Sequence, residues 1–538
     1  MTNSFDPDLV DVFLAHHWRY RPVDATFMGE GGHDHLLPPA GDTTLQDEIA
    51  EIEALLAQLE ATEEPADLGE RLDRRLMISE LKVKRAAATE RPRLHNPAWY
   101  TGEAAFSVIS LLLPQSLPVK EDALLARLRA IPGFLADGSE RLDERPVPKG
   151  WLARAQREAE AVADFLRNDL KLHEAYQESW QGAADEAAEA FEEFASVTED
   201  LPDADPASGE AYLTLLLKEQ HGLDMTPADA IAMAQAAYDR LGQELEVMAR
   251  AIDPAISWQD QIAALGEKHP DSPEAAMDLY FSLDVEAVAT GAALVTPAQE
   301  YDLEYRWLSP CFRKVAKSLY FLFYRSPPAL DPGEGSVYWV FPPGEDEEAF
   351  LKANSVATVK TIHAVHHGSV GHHTQNTRAR AAQSRLARLA GTDCALGLAF
   401  LGSITLIEGW ACYVEDLLME APGFYEPAEI LLLKSYERRN AASVLVDAKL
   451  HTGEWSALQA ASFYKSAGFA PARVEGEIVR NSMMPSSRMV YWLGVEGIKA
   501  LRRRWTGEVA DFHDQLLSYG HMPLSWIGQE MERAGLLN

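Results

Sequence analysis

Helical periodicity over the first 330 residues constrains the fold more than any other feature of this sequence. Segments such as TLQDEIAEIEALLAQLEAT and ERLDRRLMISELKVKRAAA place apolar residues three and four positions apart, which puts them on one face of an α-helix. Another segment begins with Thr226, Pro227 and Asp229. This order is typical of a helix N-terminus, where threonine caps the first turn and proline suits the first helical position. The pattern therefore predicts a mostly all-α protein with many helices.

The helical pattern of the sequence ends near residue 327. A turn-rich segment, SPPALDPGEG, is followed by SVYWVFPP, whose aromatic and β-branched residues end in two prolines. This predicts a small β element near residues 336–343, as a short edge strand. We therefore divide the chain into an N-terminal helical region, residues 1–326, and a C-terminal region, residues 327–538. We expect the two to form one compact unit.

Composition excludes several classes of partner. The chain of 538 residues has a formal net charge of −35, which repels nucleic acids and anionic membranes. The longest apolar stretch, residues 394–407, is too short to span a bilayer. The first twenty residues contain no basic segment followed by an apolar core, and the three cysteines form no CxxC pair. We therefore expect a cytoplasmic protein without a disulfide framework.

One short stretch, TIHAVHHGSVGHHTQ, holds five of the sixteen histidines of the chain. They are His363, His366, His367, His372 and His373. His363 and His367 are four residues apart and share a helix face, as in the HxxxH half of a zincin helix, but Ala364 stands where a zincin has glutamate. Such a density of imidazoles predicts a metal site.

The two glycines in this stretch bear on which histidines can meet. His366 and His372 are six residues apart, so they lie on different sides of an unbroken helix. They converge only if the helix breaks between them. Gly368 and Gly371 make such a break inexpensive.

A second apolar segment, LGLAFLGSITLIEGWACYVEDLLM, carries a glutamate, Glu408. A carboxylate inside such a run is expected to be buried and to need a cation or strong hydrogen bonds. A metal ion satisfies this need, and His372 or Arg480 are alternative partners. Glu415, seven residues further on, lies on nearly the same helix face and can accept a hydrogen bond from a metal ligand.

Four segments in this order resemble the bacterial domain-of-unknown-function 885 family. They are HHGSVGHHTQ, EGWACYVED, RRNAASVLVDAKLHTGEWS and EIVRNSMMPSSRMVYWLGVEGIKALR. The N-terminal PVDATFMGEGGHDHLLPP also resembles the opening of that family. The specific motifs lie in residues 360–504, and their order is more specific than any one of them.

The resemblance implies a large multi-helix fold of the zincin-like (gluzincin) metallopeptidase type. It also implies that His366, His372 and Glu408 bind the metal, with His373 in reserve if the helix breaks elsewhere. The metal implied is a divalent cation, Zn²⁺ first, with iron or copper as alternatives.

Two residues depart from the pattern of the family. His367 stands where the family has the glutamate that takes a proton from water, and Val370 stands where it has proline. An imidazole can also act as a general base. His367 is therefore either the base or a fourth ligand.

The C-terminal motif contains Tyr491, Arg488 and Arg480, which could stabilise an anion or hold a substrate carboxylate. We therefore expect a metal-dependent hydrolase of amide or peptide bonds that acts on a small molecule or short peptide. The alternatives are a non-hydrolytic metalloenzyme, such as a lyase or an oxygen-dependent enzyme, and a non-catalytic metal-binding descendant.

Overall fold

The structure, a computed structural model, describes residues 8–116, 118–319, 324–333, 335–389 and 403–538. Within these ranges the protein is mostly helical and contains one small three-stranded sheet. The mostly all-α class predicted from the periodicity is therefore confirmed. None of the helices in these ranges has both the length and the apolarity that crossing a bilayer requires.

Twelve α-helices precede the sheet in the described residues. They are α1 Leu9–Tyr20, α2 Pro22–Met28, α3 Thr44–Ala61, α4 Leu68–Glu90, α5 Pro97–Leu112, α6 Glu121–Leu142, α7 Lys149–Arg167, α8 Gln181–Thr198, α9 Glu210–Leu215, α10 Pro227–Ile252, α11 Trp258–Ala263 and α12 Pro273–Gly291. A π-helical stretch, Leu216–Gln220, continues α9.

The sheet and ten further helices follow. The strands are β1 Leu303–Trp307, β2 Tyr324–Arg325 and β3 Ser336–Val340. The helices are α13 Glu347–Ala353, α14 Val356–Thr358, α15 His372–Ala379, α16 Ile404–Leu417, α17 Pro427–His451, α18 Ala457–Ser466, α19 Pro471–Met483, α20 Val490–Arg504, α21 Val509–Leu517 and α22 Leu524–Arg533. Short 3₁₀ turns connect several of them, at Arg93–His95, Pro114–Ser116, Asp169–Leu172, Glu178–Trp180, Ala264–Glu267, Pro310–Phe312, Val315–Lys317, Leu386–Arg388 and Leu418–Glu420.

Side-chain caps begin several helices as the sequence predicts. The Thr226 hydroxyl accepts from the Asp229 N–H at 3.1 Å, and the Asp229 carboxylate accepts from the Thr226 N–H at 2.9 Å. This reciprocal capping box starts α10, with Pro227 at its first position. Such a cap satisfies amide groups that the helix itself leaves unpaired.

The prediction of a strand at SVYWVFPP is confirmed, but its position at an edge is wrong. β3 is the central strand, parallel to β1 and antiparallel to β2. All five residues of β3 are buried, because Val337 and Trp339 pack into one hydrophobic cluster and Tyr338 and Val340 pack into another. β1 and β2 lack the run of β-branched and aromatic residues that marks β3, so the sequence did not reveal them.

The core joins both ends of the chain. One cluster of buried residues packs Phe13 of α1 and Ile52 of α3 against Trp410 of α16 and Ile527 of α22. The proposed boundary near residue 327 therefore runs through shared packing rather than between separate cores.

Two glycines set the distance between the helices that border the site. A Cβ added at Gly409 of α16 would lie 2.7 Å from the Cα of Gly494 in α20. Any larger residue at either position would therefore push α16 and α20 apart. This close approach brings Glu408 of α16 next to the start of α20.

Candidate metal centre

The predicted helix break is present between the histidines. A π-helical stretch, Val359–His366, continues α14, and α15 begins at His372. A Cβ at Gly371 would lie 1.9 Å from the carbonyl oxygen of His366. One at Gly368 would lie 2.1 Å from that of Ala364. The turn is therefore tight enough to require glycine at both positions.

Asp284 of α12 holds this turn from outside. Its carboxylate accepts from the backbone N–H of Ser369 at 2.7 Å and from the Ser369 hydroxyl at 2.6 Å. The N-terminal half of the chain thereby orients the segment that carries the histidines. No local pattern predicts this contact, because residues 284 and 369 are far apart along the chain.

His366 uses its two ring nitrogens for different partners. Nδ1–H donates to Glu415 Oε1 at 2.6 Å, while Nε2 lies 3.7 Å from Glu408 Oε2. Glu415 thus has the contact predicted for it from its place on nearly the same helix face as Glu408. A carboxylate on the far nitrogen fixes the tautomer and orients the ring of a metal-binding histidine.

His372 points its Nε2 at the same carboxylate, 3.8 Å from Glu408 Oε2. Its Nδ1–H donates to Gln375 Oε1 at 3.2 Å, and Gln375 Nε2 donates to His521 Nδ1 at 3.1 Å. Both histidines therefore turn an Nε2 atom toward Glu408 and a hydrogen-bonded Nδ1 away from it.

These three side chains suit zinc. Two atoms bound to one tetrahedral zinc at about 2.1 Å are about 3.4 Å apart, and the two observed N···O distances are only slightly longer. Two imidazoles and one carboxylate are also the donor types that a catalytic zinc prefers. His366, His372 and Glu408 can therefore hold such an ion after small side-chain movements.

His367 lies within the same cluster. One nitrogen from each of His366, His367 and His372 lies within 4.8 Å of the others. The buried Nδ1 of His367 has no hydrogen-bond partner among the described residues. Burial, followed by the neighbouring His366 and His372, holds the pKa of His367 well below its usual value. The ring is therefore neutral at pH 7, which leaves a lone pair on one nitrogen.

The structure does not bring His363 and His373 to this point. His363 Nδ1 lies 2.5 Å from the Tyr338 hydroxyl. His373 Nδ1 lies 3.1 Å from Ser336 Oγ and 3.3 Å from the Tyr324 hydroxyl. The contacts of His373 Nδ1 are therefore with residues of the sheet, and its reserve role as a ligand stays a prediction.

The C-terminal motif divides into two parts. Burial, followed by Glu408, raises the pKa of Tyr491, and Arg480 contributes to lowering the pKa of Glu408, so both residues interact electrostatically with Glu408. Arg488 instead forms an ion pair with Glu477, and its guanidinium lies 5.4 Å from the Tyr491 ring. This geometry does not favour a direct contact between Arg488 and a substrate. Arg488 instead positions its neighbours, Glu477 and Tyr491.

The charges around Glu408 favour its ionised form. Burial raises its pKa, but His366, His372 and Arg480 together lower it to about 2. Burial lowers the pKa of His372 to about 4. At neutral pH an ionised carboxylate therefore faces a neutral imidazole, which is the protonation state that metal binding requires.

Four other polar residues lie in the segments that resemble the family: Asp447, His451, His33 and His35. The Asp447 carboxylate accepts from the backbone N–H groups of Ser486 and Arg488 at 3.0 and 2.9 Å. His451 Nε2–H donates to the Asn481 carbonyl at 2.9 Å. His35 is exposed, and the His33 ring is partly buried in the same N-terminal turn.

Sequence reasoning missed two groups beside the centre. Gln375, the last residue of the HHTQ motif, supports His372 as described above. Cys412 lies with His366 and Glu415 within 4.8 Å, and Asn440 Nδ2 lies 3.7 Å from its sulfur. Cys311 and Cys412 are free and buried, whereas Cys394 lies outside the described residues, as do residues 396–402 of the predicted apolar helix.

Comparison with known proteins identifies the family. The profile described as bacterial protein of unknown function (DUF885) matches residues 22–531. The chain belongs to the DUF885 family. The family resemblance of the four motifs is thereby confirmed. No curated protein matches the chain.

Two solved structures share the fold of this DUF885 chain. A candidate lipoprotein of unknown function from Shewanella oneidensis has a TM-score of 0.77 and 19% identity, over 97% of this chain and 99% of its own. A candidate lipoprotein from Colwellia psychrerythraea has a TM-score of 0.77 and 18% identity, over 98% of both chains. The architecture therefore extends over the whole length of both proteins.

Proposed function

We propose that this protein is a metal-dependent hydrolase of amide or peptide bonds in a small substrate. The observation that carries the proposal is the convergence on Glu408. His366 and His372 each direct an Nε2 atom at its carboxylate, while Glu415 and Gln375 occupy their Nδ1 atoms. An ion pair with Glu408 does not require that the Nδ1 atoms of both imidazoles form hydrogen bonds. Histidines that bind a metal ion usually have such hydrogen bonds, because these orient the ring.

The residues at the centre then have separate roles. His366, His372 and Glu408 would hold the cation, which when bound polarises a carbonyl group and activates water. His367 would accept a proton at the centre, because its ring is neutral, lies beside His366 and has an unpaired nitrogen. In this role His367 replaces the glutamate that zincins carry.

Negative charge that develops on the substrate oxygen needs a donor. Tyr491 and Arg480 are the groups near Glu408 that can provide one. A donor aimed at a developing oxyanion lowers the barrier by about 3 to 4 kcal/mol in other hydrolases. Arg488 contributes by holding Glu477 and by lying over the Tyr491 ring.

The proposed substrate is a small molecule or short peptide, because elements from both halves of the chain surround the centre. Asp284 of α12 belongs to the N-terminal half and holds the turn between His366 and His372 through Ser369. The cytoplasmic location stays a prediction. The two candidate lipoproteins of similar fold suggest the alternative, which is attachment to a membrane through a lipid. Fractionation of the native host distinguishes the two locations.

A second candidate follows from the three-histidine cluster. If His367 binds the cation together with His366 and His372, Glu408 completes a set of four protein ligands. A closed zinc site of this kind is structural. The same ligands with iron or copper suit a lyase or an oxygen-dependent reaction.

One experiment separates these functions. The metal content of the purified protein is measured beside that of His366→Ala, His367→Ala, His367→Glu and, as a matched control, the exposed His35→Ala. Hydrolysis of an amide and short-peptide library is measured for each protein.

For the hydrolase, we expect one equivalent of zinc in all variants except His366→Ala. Turnover should fall at least about 100-fold in His367→Ala, as loss of a general base implies. It should return in His367→Glu, which restores the zincin pattern. Metal loss in His367→Ala would support the four-ligand site instead, and a metal-loaded protein that hydrolyses none of the library would contradict the proposal.

A further inference from the structure

A cavity of about 400 Å³ lies where α11, α13 and α17 come together. Six of the residues that line it carry the argument below. They are Trp258, Ile262, Lys352, Tyr436, Arg438 and Arg439. None of the proposed metal ligands lines this cavity, so it is a separate space.

The charge of the cavity opposes that of the chain. The protein has 83 acidic and 48 basic residues, yet three cations and no carboxylate line this cavity in the part of the chain that the structure describes. Lys352 is already neutralised, by Glu267 at 3.0 Å and Glu348 at 3.4 Å. The uncompensated charge therefore comes from Arg438 and Arg439.

Arg439 is held in place without an acceptor. Its guanidinium lies 4.3 Å from the Tyr436 ring and 5.8 Å from the Phe469 ring. It has no hydrogen-bond or carboxylate partner among the described residues. Burial lowers the pKa of Arg439, and the nearby Arg473 lowers it further, while Tyr436 and Glu415 raise it.

Arg438 adds a second partly used guanidinium. Its Nε donates to the Tyr238 carbonyl at 3.2 Å, and the group lies 3.8 Å from the Tyr238 ring. In the described structure its terminal nitrogens have no carboxylate partner. Two such guanidiniums in one cavity repel each other unless an anion lies between or beside them.

We propose that this cavity binds a small organic anion, a carboxylate or a phosphate, through Arg439 and Arg438. Planar guanidiniums pair with both groups through two parallel hydrogen bonds. Trp258 and Ile262 provide an apolar wall for the carbon part of the ligand. Binding at this cavity does not require the reaction proposed for the metal centre.

Titration calorimetry of the full chain tests the proposal. The probes are inorganic phosphate, N-acetylphenylalanine and, as the uncharged control, N-acetylphenylalanine amide. The proteins are the wild type, Arg439→Gln, Arg438→Gln and Arg129→Gln, which removes an exposed arginine of α6. Thermal melting in the absence of probe verifies that each variant is folded.

We expect the wild type and Arg129→Gln to bind at least one of the two anions and neither to bind the amide. Arg439→Gln should weaken binding about tenfold or more, the loss of one charge-assisted pair, and Arg438→Gln should weaken it less. Which anion binds distinguishes a carboxylate ligand from a phosphate ligand. Absence of binding by both anions, or equal affinity in wild type and Arg439→Gln, would overturn the proposal.

An anion could instead bind a metal at the histidines. The titration is therefore repeated with His372→Ala and with wild-type protein treated with a chelator. Binding that persists in either folded sample supports the cavity, and binding that disappears in both overturns it. Neither result depends on catalytic turnover, so a failed hydrolase proposal leaves this test intact.

Discussion

His366 shows how one residue can be specified by its surroundings. Glu415 accepts from its Nδ1 at 2.6 Å, which leaves Nε2 directed at Glu408. Burial lowers the pKa of His366, but the contacts with Cys412, Glu408 and Glu415 raise it well above its usual value. Glu415 therefore fixes the orientation of the ring, and a cation that binds at Nε2 has to displace a proton from it.

Replacing the carboxylate behind His366 should weaken metal binding. Glu415→Gln keeps the shape but loses the charged acceptor, so we expect zinc affinity to fall about 10- to 100-fold. Competition with a chromogenic chelator measures this. Glu420→Gln is the matched control, since Glu420 pairs with Arg502. Equal zinc affinity in Glu415→Gln and wild type would contradict the prediction.

At the scale of elements, the contact between α16 and α20 depends on two glycines. A Cβ added at Gly494 would lie 2.3 Å from the Thr405 carbonyl oxygen and 2.7 Å from the Gly409 Cα. Packing of this kind leaves no room for a methyl group. Glu408 and Tyr491 keep their spacing because the two backbones touch.

A methyl group at this crossing should disturb the site. In Gly494→Ala we expect α20 to shift, the melting temperature to fall and turnover to fall more than stability does. Overpacking of this kind costs about 1 to 3 kcal/mol. Gly476→Ala is the control, because its helical position has open space around it and alanine favours helix. A fully active Gly494→Ala would be inconsistent with this view.

A buried ion pair attaches α3 to its neighbours. Glu48 Oε2 lies 2.7 Å from Arg93 Nη1, and Oε1 lies 3.4 Å from Arg21 Nη1. Burial raises the pKa of Glu48, but Arg93 and Arg21 outweigh it and lower the pKa to about 2.

This lowered pKa predicts a pH dependence of stability. The contribution of Glu48 is complete above pH 4.5 and disappears as pH falls through about 2, because the unfolded chain binds the proton more readily. It amounts to about 3 kcal/mol. Denaturant titrations between pH 5 and pH 2 should show a shallower loss of stability in Glu48→Gln than in wild type. The control Glu53→Gln changes an exposed residue of the same helix and should retain the wild-type dependence of stability on pH. The same dependence in Glu48→Gln as in wild type would argue against the lowered pKa of Glu48.

At the scale of the whole molecule, the two predicted regions share their interior. Phe13 and Ile52 pack in one cluster with Trp410 and Ile527. β1 of the first region pairs with β3 of the second over five residues. A region that lacks its partner would expose these apolar side chains to water.

The C-terminal region should therefore not fold alone. We expect residues 327–538, expressed without residues 1–326, to lack near-ultraviolet circular dichroism and to be digested rapidly by protease, unlike the full chain. Zinc binding by the fragment, measured with the same chelator, should be weak. A protease-resistant fragment that binds zinc as tightly as the full chain would show two independent domains.

The sequence by itself determined the helical class, the break at the histidines and the family. Each of these depends on local patterns: apolar spacing for the helices, Gly368 and Gly371 for the break, and the order of four motifs for the family. A pattern over a few residues is enough because helix geometry and glycine conformations are local properties of the backbone.

Only the tertiary structure decided which groups meet. Asp284 supports the turn at Ser369, β1 makes β3 a central strand, His373 turns to Ser336, and Arg488 pairs with Glu477. The anion-binding cavity likewise arises where α11, α13 and α17 come together. These contacts join residues that are far apart along the chain, and their partners are chosen by packing, which no local pattern encodes.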